Sequence, residues 1–187
     1  KHIIRSIPMY KEGHELVIHY SDYFLNGNSV VYDLGCSTGN LLKNFSSVNK
    51  NVKFVGIDIE SQMISYAKKN NAAKNITFIS SDINKHKLKK SDVIIAYYSI
   101  QFIHPRYRQK IFTKIYKSLD EGGCFFLFEK IRGNSAKIQE IFNGTYDEYK
   151  LSKGFDPEEI FSKTRSLKGV LKTSSTNENK SMLKKSG

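Results

Sequence analysis

One glycine loop and three acidic residues, each at the end of an apolar run, carry the chemistry that can be read from this sequence. Asp33-Leu34-Gly35-Cys36-Ser37-Thr38-Gly39 follows the run that begins at Val30, and its D-x-G-x-x-x-G spacing differs from the G-x-G-x-x-G of dinucleotide sites. Glycines there let backbone amides approach a ligand closely, and without a pyrophosphate to cradle the loop suits an amino acid and a ribose. Asp58 closes the run from Val52, where a carboxylate can take both hydroxyls of a ribose. Asp82, in Ser80-Ser81-Asp82-Ile83, falls just past a third run; it can accept from the amino group of an adenine while Ile83 packs on the ring. Taken singly, each acid can equally be a helix cap or a solvated group. Three in strand order point to a nucleoside site.

For these residues to converge, the runs must be neighbouring strands. Val30–Asp33, Val52–Asp58, Ile76–Ile79, Val93–Tyr97 and Cys124–Phe128 are short and rich in β-branched or aromatic residues, which predicts strands. Between them Leu41, Leu42 and Phe45, then Met63, Ile64 and Ala67, then Ile111, Ile115 and Leu119 have helical spacing. The alternation predicts an α/β fold with a mostly parallel sheet, flanking helices and right-handed crossovers. A helix from about Arg106 to Leu119 is expected to stop at Asp120-Glu121-Gly122-Gly123, a C-terminal glycine signal ahead of the fifth strand. Further helices are predicted over 134–150, 156–172 and Glu178–Lys185, with a turn or cap at Thr173–Asn177.

The chain has 187 residues, a size expected for one domain, and a formal charge of +12. Its densest basic cluster is Lys85-His86-Lys87-Leu88-Lys89-Lys90. Such a run can bind phosphates, which keeps a non-catalytic RNA-binding module as a third reading, but no exposed aromatics interleave it as in single-strand binders. Direct nucleic-acid binding is therefore not favoured. Cys36 and Cys124 form no zinc motif or disulfide framework, the histidines have no ligand spacing, and no metal is expected. The longest apolar stretch, Val93–Tyr98, is far short of the ~20 residues that cross a bilayer, and the N-terminus lacks a secretory h-region. No membrane contact and a cytoplasmic location are expected.

From Val30 to Phe128 the constellation resembles the class I S-adenosylmethionine-dependent methyltransferases. The resemblance implies a Rossmann-like fold with a final antiparallel hairpin, S-adenosyl-L-methionine as cofactor, Gly35 to Gly39 on its methionine part, Asp58 on its ribose and Asp82 on its adenine. Across the whole chain the sequence is more specifically similar to the carboxy-S-adenosyl-L-methionine synthases. The matching pieces include Arg5-Ser6-Ile7-Pro8-Met9-Tyr10, Tyr32-Asp33-Leu34-Gly35-Cys36-Ser37, Gln101-Phe102-Ile103, Glu129-Lys130, Lys153-Gly154-Phe155 and Arg165-Ser166. That family makes carboxy-S-adenosyl-L-methionine from S-adenosylmethionine and prephenate, for use on the wobble uridine of transfer RNA.

By that resemblance Tyr10 lies over the cofactor and Arg165 pairs with the added carboxylate, for which a guanidinium offers a bidentate fork. Cys36, Ser37, Ile59, Met63 and Ile83 complete the expected cofactor contacts, with Asp33 at the head of the loop. The chain departs from the family at Tyr97, where an asparagine is usual, and at Ile59, where the family is polar. A phenol for an amide alters the reacting end, so Tyr97, or Tyr98 beside it, is expected to line an acceptor pocket. Two enzymatic readings follow: methyl transfer to a small molecule, in which alignment supplies most of the catalysis, and synthesis of the carboxylated cofactor. Residues 1–29 are expected as an N-terminal lid, 30–130 as the cofactor-binding core and 131–187 as a helical, substrate-side segment. The family's last two strands are expected to be missing from this chain, and a homodimer is expected.

Overall fold

The computed structural model describes residues 2–187; Lys1 and the side chain of His2, both within the expected lid, lie outside the described residues. The chain opens with helices α1 (His2–Ser6) and α2 (Tyr10–Ser21). Strands β1 (Val30–Leu34), β2 (Lys53–Asp58), β3 (Ile76–Ser80), β4 (Ser91–Tyr97) and β5 (Leu119–Phe128) then form one sheet in the order β3-β2-β1-β4-β5. All four pairings are parallel. The described residues contain no antiparallel hairpin, and β5 lies at the sheet edge.

Parallel strands are covered on both faces, so they read as continuous apolar runs. In β4, Val93 and Ile95 point to one face, with Leu42, Phe45 and Phe54, while Ile94 and Ala96 point to the other, with Ile111, Phe112 and Ile115. The first face is covered by α2, α3 (Asn40–Val48) and α4 (Ser61–Asn70), through Val17, Leu41, Ile64 and Ala67. The second is covered by α5 (Pro105–Ser118), which starts with Pro105 in its first turn and His104 as N-cap.

The fifth strand begins earlier than the glycine signal suggests. The expected helix ends at Ser118, one residue short of Leu119, but Ser91 pairs with Leu119 and Val93 with Cys124, so Asp120 to Gly123 form a bulge opposite Asp92 within β5. After β5 come α6 (Ala136–Ser152), α7 (Pro157–Ser166) and α8 (Thr176–Lys184). Capping boxes fix the starts of the last two, Asp156 with Glu159 and Ser175 with Glu178. The helix expected over 156–172 is shorter because the chain turns at Gly169, whose φ is +78°.

Arg108 ties this C-terminal segment to the sheet. Its buried guanidinium donates to the carbonyls of Ile103, Gln101 and Lys172 and to Ser174 Oγ. Gln101 closes the circuit: its side-chain oxygen accepts from Lys130 N–H at 2.8 Å and its carbonyl from Lys172 N–H. A surface cleft of about 490 Å³ runs between α5 and α8, past Arg108, Arg132, Glu178 and Met182, and contains none of the glycine-loop residues.

Candidate active site

Because every strand is parallel, Leu34, Asp58, Ser80, Tyr97 and Phe128 all end at one edge of the sheet. The order reverses between β1 and β4, the crevice where open α/β sheets bind ligands. The glycine loop leaves β1 at that crevice. Gly35 has φ +85°, and a Cβ there would come within 2.3 Å of Ser99 Cβ, so only glycine fits. Gly35 and Cys36 N–H both donate to Ile57 O, and Asn71 Nδ2 holds the loop from behind through Thr38 O.

The sheet edge brings the three acids to the places their spacing predicts. Asp58 accepts Ser37 N–H at 2.8 Å on Oδ2 and Glu60 N–H at 2.9 Å on Oδ1, so it also fixes the loop. Asp82 uses Oδ1 to accept from Asn84 N–H and Nδ2. Ile59 and Met63 expose apolar surface beside Asp58, while Ile83 packs into the core beneath. The Cys36 thiol is buried in the loop, and burial pushes its pKa up.

Asp33 is buried, and its Oδ1 has no hydrogen-bond partner. Burial, with the Asp58 carboxylate beside it, raises its pKa to about 7. A buried carboxylate without a partner is costly, and a cation placed against it removes that cost. S-adenosylmethionine carries a sulfonium and an ammonium, so this donor set fits it.

Tyr10 stands at the start of α2, beside Asp33 and Tyr98; burial and these neighbours raise its pKa to about 12. Tyr97 was expected to line the acceptor pocket, but its hydroxyl donates to the backbone carbonyl of Tyr10 at 2.8 Å. Its ring meets those of Tyr10 and His14 at centroid distances of 5.3 and 4.7 Å. The phenol thus docks α2 on the sheet. Tyr98, with φ +56°, follows Tyr97 at the end of β4 and lies beside Tyr146 of α6. Arg165 is exposed in the last turn of α7, and the structure shows no hydrogen bond or ion pair from its side chain to the loop residues. Sequence reasoning missed Gly13, Arg108, Lys114 and Tyr146, since nothing in local spacing marks residues that act across long separations.

A methyltransferase-domain model matches residues 31–123. The carboxy-S-adenosyl-L-methionine synthase of Staphylococcus epidermidis is 38% identical over 100% of this chain and 82% of its own length. The synthase of Nautilia profundicola is 37% identical over 98% of this chain and 79% of its own. This chain belongs to the carboxy-S-adenosyl-L-methionine synthase family. Solved structures agree on the fold. YcgJ of Bacillus subtilis has a TM-score of 0.69 at 17% identity, covering 94% of this chain and 68% of that one. Human N-acetylserotonin methyltransferase, solved with S-adenosylmethionine, has a TM-score of 0.63 at 17% identity, covering 93% and 45%. The chain is a Rossmann-like, S-adenosylmethionine-dependent transferase. No helix among the described residues is long and apolar enough to cross a membrane.

Proposed function

We propose that this protein makes carboxy-S-adenosyl-L-methionine, taking the carboxyl group from prephenate, and so serves wobble-uridine modification of transfer RNA. The observation that carries the reading is the similarity to synthases, 38% identity over the whole chain, which covers the segment that holds Arg165 as well as the cofactor core. The phenol at position 97, expected at an acceptor pocket, is engaged by the backbone of helix α2.

When bound, the cofactor supplies an activated carbon on a sulfonium. The residues of this chain bind and orient it. The glycine loop gives close backbone approach, Asp58 and Asp82 have acceptor capacity for hydroxyl and amino groups, and Asp33 offers its unpaired oxygen to positive charge. Tyr10 covers the site from α2 and excludes water. Arg165, on α7, is the fork for the new carboxylate, and its exposure suits a homodimer in which it reaches a neighbouring site. A cytoplasmic location belongs to the same reading.

Arg165→Ala tests the assignment. Carboxylated product is expected to fall at least 100-fold, the scale of losing a charge-assisted bidentate contact, while affinity for unmodified S-adenosylmethionine stays within about twofold. Equal loss of both would overturn the role of Arg165. Methyl transfer to a small molecule is the second reading, and labelled methyl appearing on an acceptor would favour it.

A further inference from the structure

Under the turn that carries Asp82, one cation is held by the backbone. Lys114, on α5, donates from Nζ to the carbonyls of Ile83, Asn84 and His86, the last two at 3.3 and 3.0 Å. Lys85 and His86 N–H both close onto Asp82 O, so residues 82 to 86 form one short turn whose later carbonyls have no partner within it. The ammonium supplies that partner, as a side chain does at the end of a helix. Asp82 attracts the same ammonium, Lys110 repels it, and the group is half-buried. Lys114 thereby spans 28 to 31 residues of sequence to fix the segment that carries Asp82 and anchors Ile83 in the core.

We propose that Lys114 is a positioning residue for adenine recognition: by clamping the 82–86 turn it holds the Asp82 carboxylate where the exocyclic amino group of the base arrives. The proposal rests on the reading of Asp82 as the adenine acceptor. It predicts selectivity as well as affinity, because a carboxylate accepts from a 6-amino group and repels a 6-oxo group. A turn freed of its clamp shifts as a unit, with the Asn84 to Asp82 hydrogen bonds inside it, and carries the carboxylate away from the base, so the discrimination goes with it.

The test is the ratio of dissociation constants for S-inosylhomocysteine and S-adenosylhomocysteine on the full chain. Wild type should favour the adenine ligand roughly tenfold or more, the scale of one hydrogen bond to a charged group. Lys114→Met should bring the ratio close to one, and Lys114→Arg should restore most of it. Lys114→Gln, which keeps one donor, substitutes if the methionine variant does not fold. A variant that binds both ligands more weakly by the same factor, with the ratio intact, would reduce Lys114 to a structural role and overturn the proposal. A wild-type ratio of one would instead remove the Asp82 reading on which the proposal stands.

Discussion

The hydroxyl of Tyr97 donates to the backbone carbonyl of Tyr10 at 2.8 Å, and this contact joins the end of β4 to the first turn of α2. It exists because residue 13 is glycine: a Cβ there would lie 2.2 Å from the Tyr97 hydroxyl. Tyr10, His14 and Tyr97 then form a closed aromatic set between the helix and the sheet. Tyr97 thereby docks α2 against the end of β4.

Gly13 and Tyr97 should therefore be energetically coupled. Gly13→Ala is expected to cost about 1–3 kcal/mol through overpacking, and Tyr97→Phe about 1 kcal/mol for the lost hydrogen bond. The double variant should cost less than the sum, since removing the hydroxyl removes the closest clash. Urea denaturation of the four proteins measures this; strict additivity would mean that the two residues do not share the contact.

Asp33 makes cofactor affinity depend on pH. Its pKa near 7 means that it is largely protonated below neutrality in the free protein, and a bound cation favours the ionised form. Binding of S-adenosylmethionine below about pH 7 should release a proton, so affinity rises with pH up to that point and then levels. Calorimetry in two buffers of different ionisation enthalpy reads the proton directly. Asp33→Asn should abolish the release.

His14 acts on stability. Burial lowers its pKa to about 4, so between about pH 4 and its ordinary value of 6.5 the unfolded chain binds a proton that the folded chain does not. Its contribution is complete above pH 6.5 and is lost as pH falls toward 4. Asp33 works in the opposite direction, since a raised carboxyl pKa favours the folded state at low pH. Thermal melts across this range in an Asp33→Asn background remove the opposing carboxyl and leave His86, His104 and Glu129 as the other shifted groups. His14→Phe in the same background should flatten the profile, and an unchanged slope would show that another group titrates.

The parallel sheet was legible because burial on both faces writes strands such as Val93–Tyr97 as unbroken apolar runs. The glycine loop and its acids were legible because each is fixed by its distance from the end of a strand. Asp120 to Gly123 marked the end of α5 to within one residue but not their place inside β5, because glycines after a helix look alike whether they cap it or form a bulge in the next strand. The orientation of Tyr97, the clamp by Lys114 and the hub at Arg108 were invisible for a different reason. Each depends on a backbone carbonyl far away in sequence, and a carbonyl leaves no mark on residue type.

Mass spectrometry of the small molecule retained after purification, from cells that make both S-adenosylmethionine and prephenate, tests the central claim most directly. The account predicts carboxy-S-adenosyl-L-methionine on the wild-type protein and its absence from Arg165→Ala. Wild-type protein that carries only S-adenosylmethionine or S-adenosylhomocysteine, and forms no carboxylated product when supplied with prephenate, would contradict it.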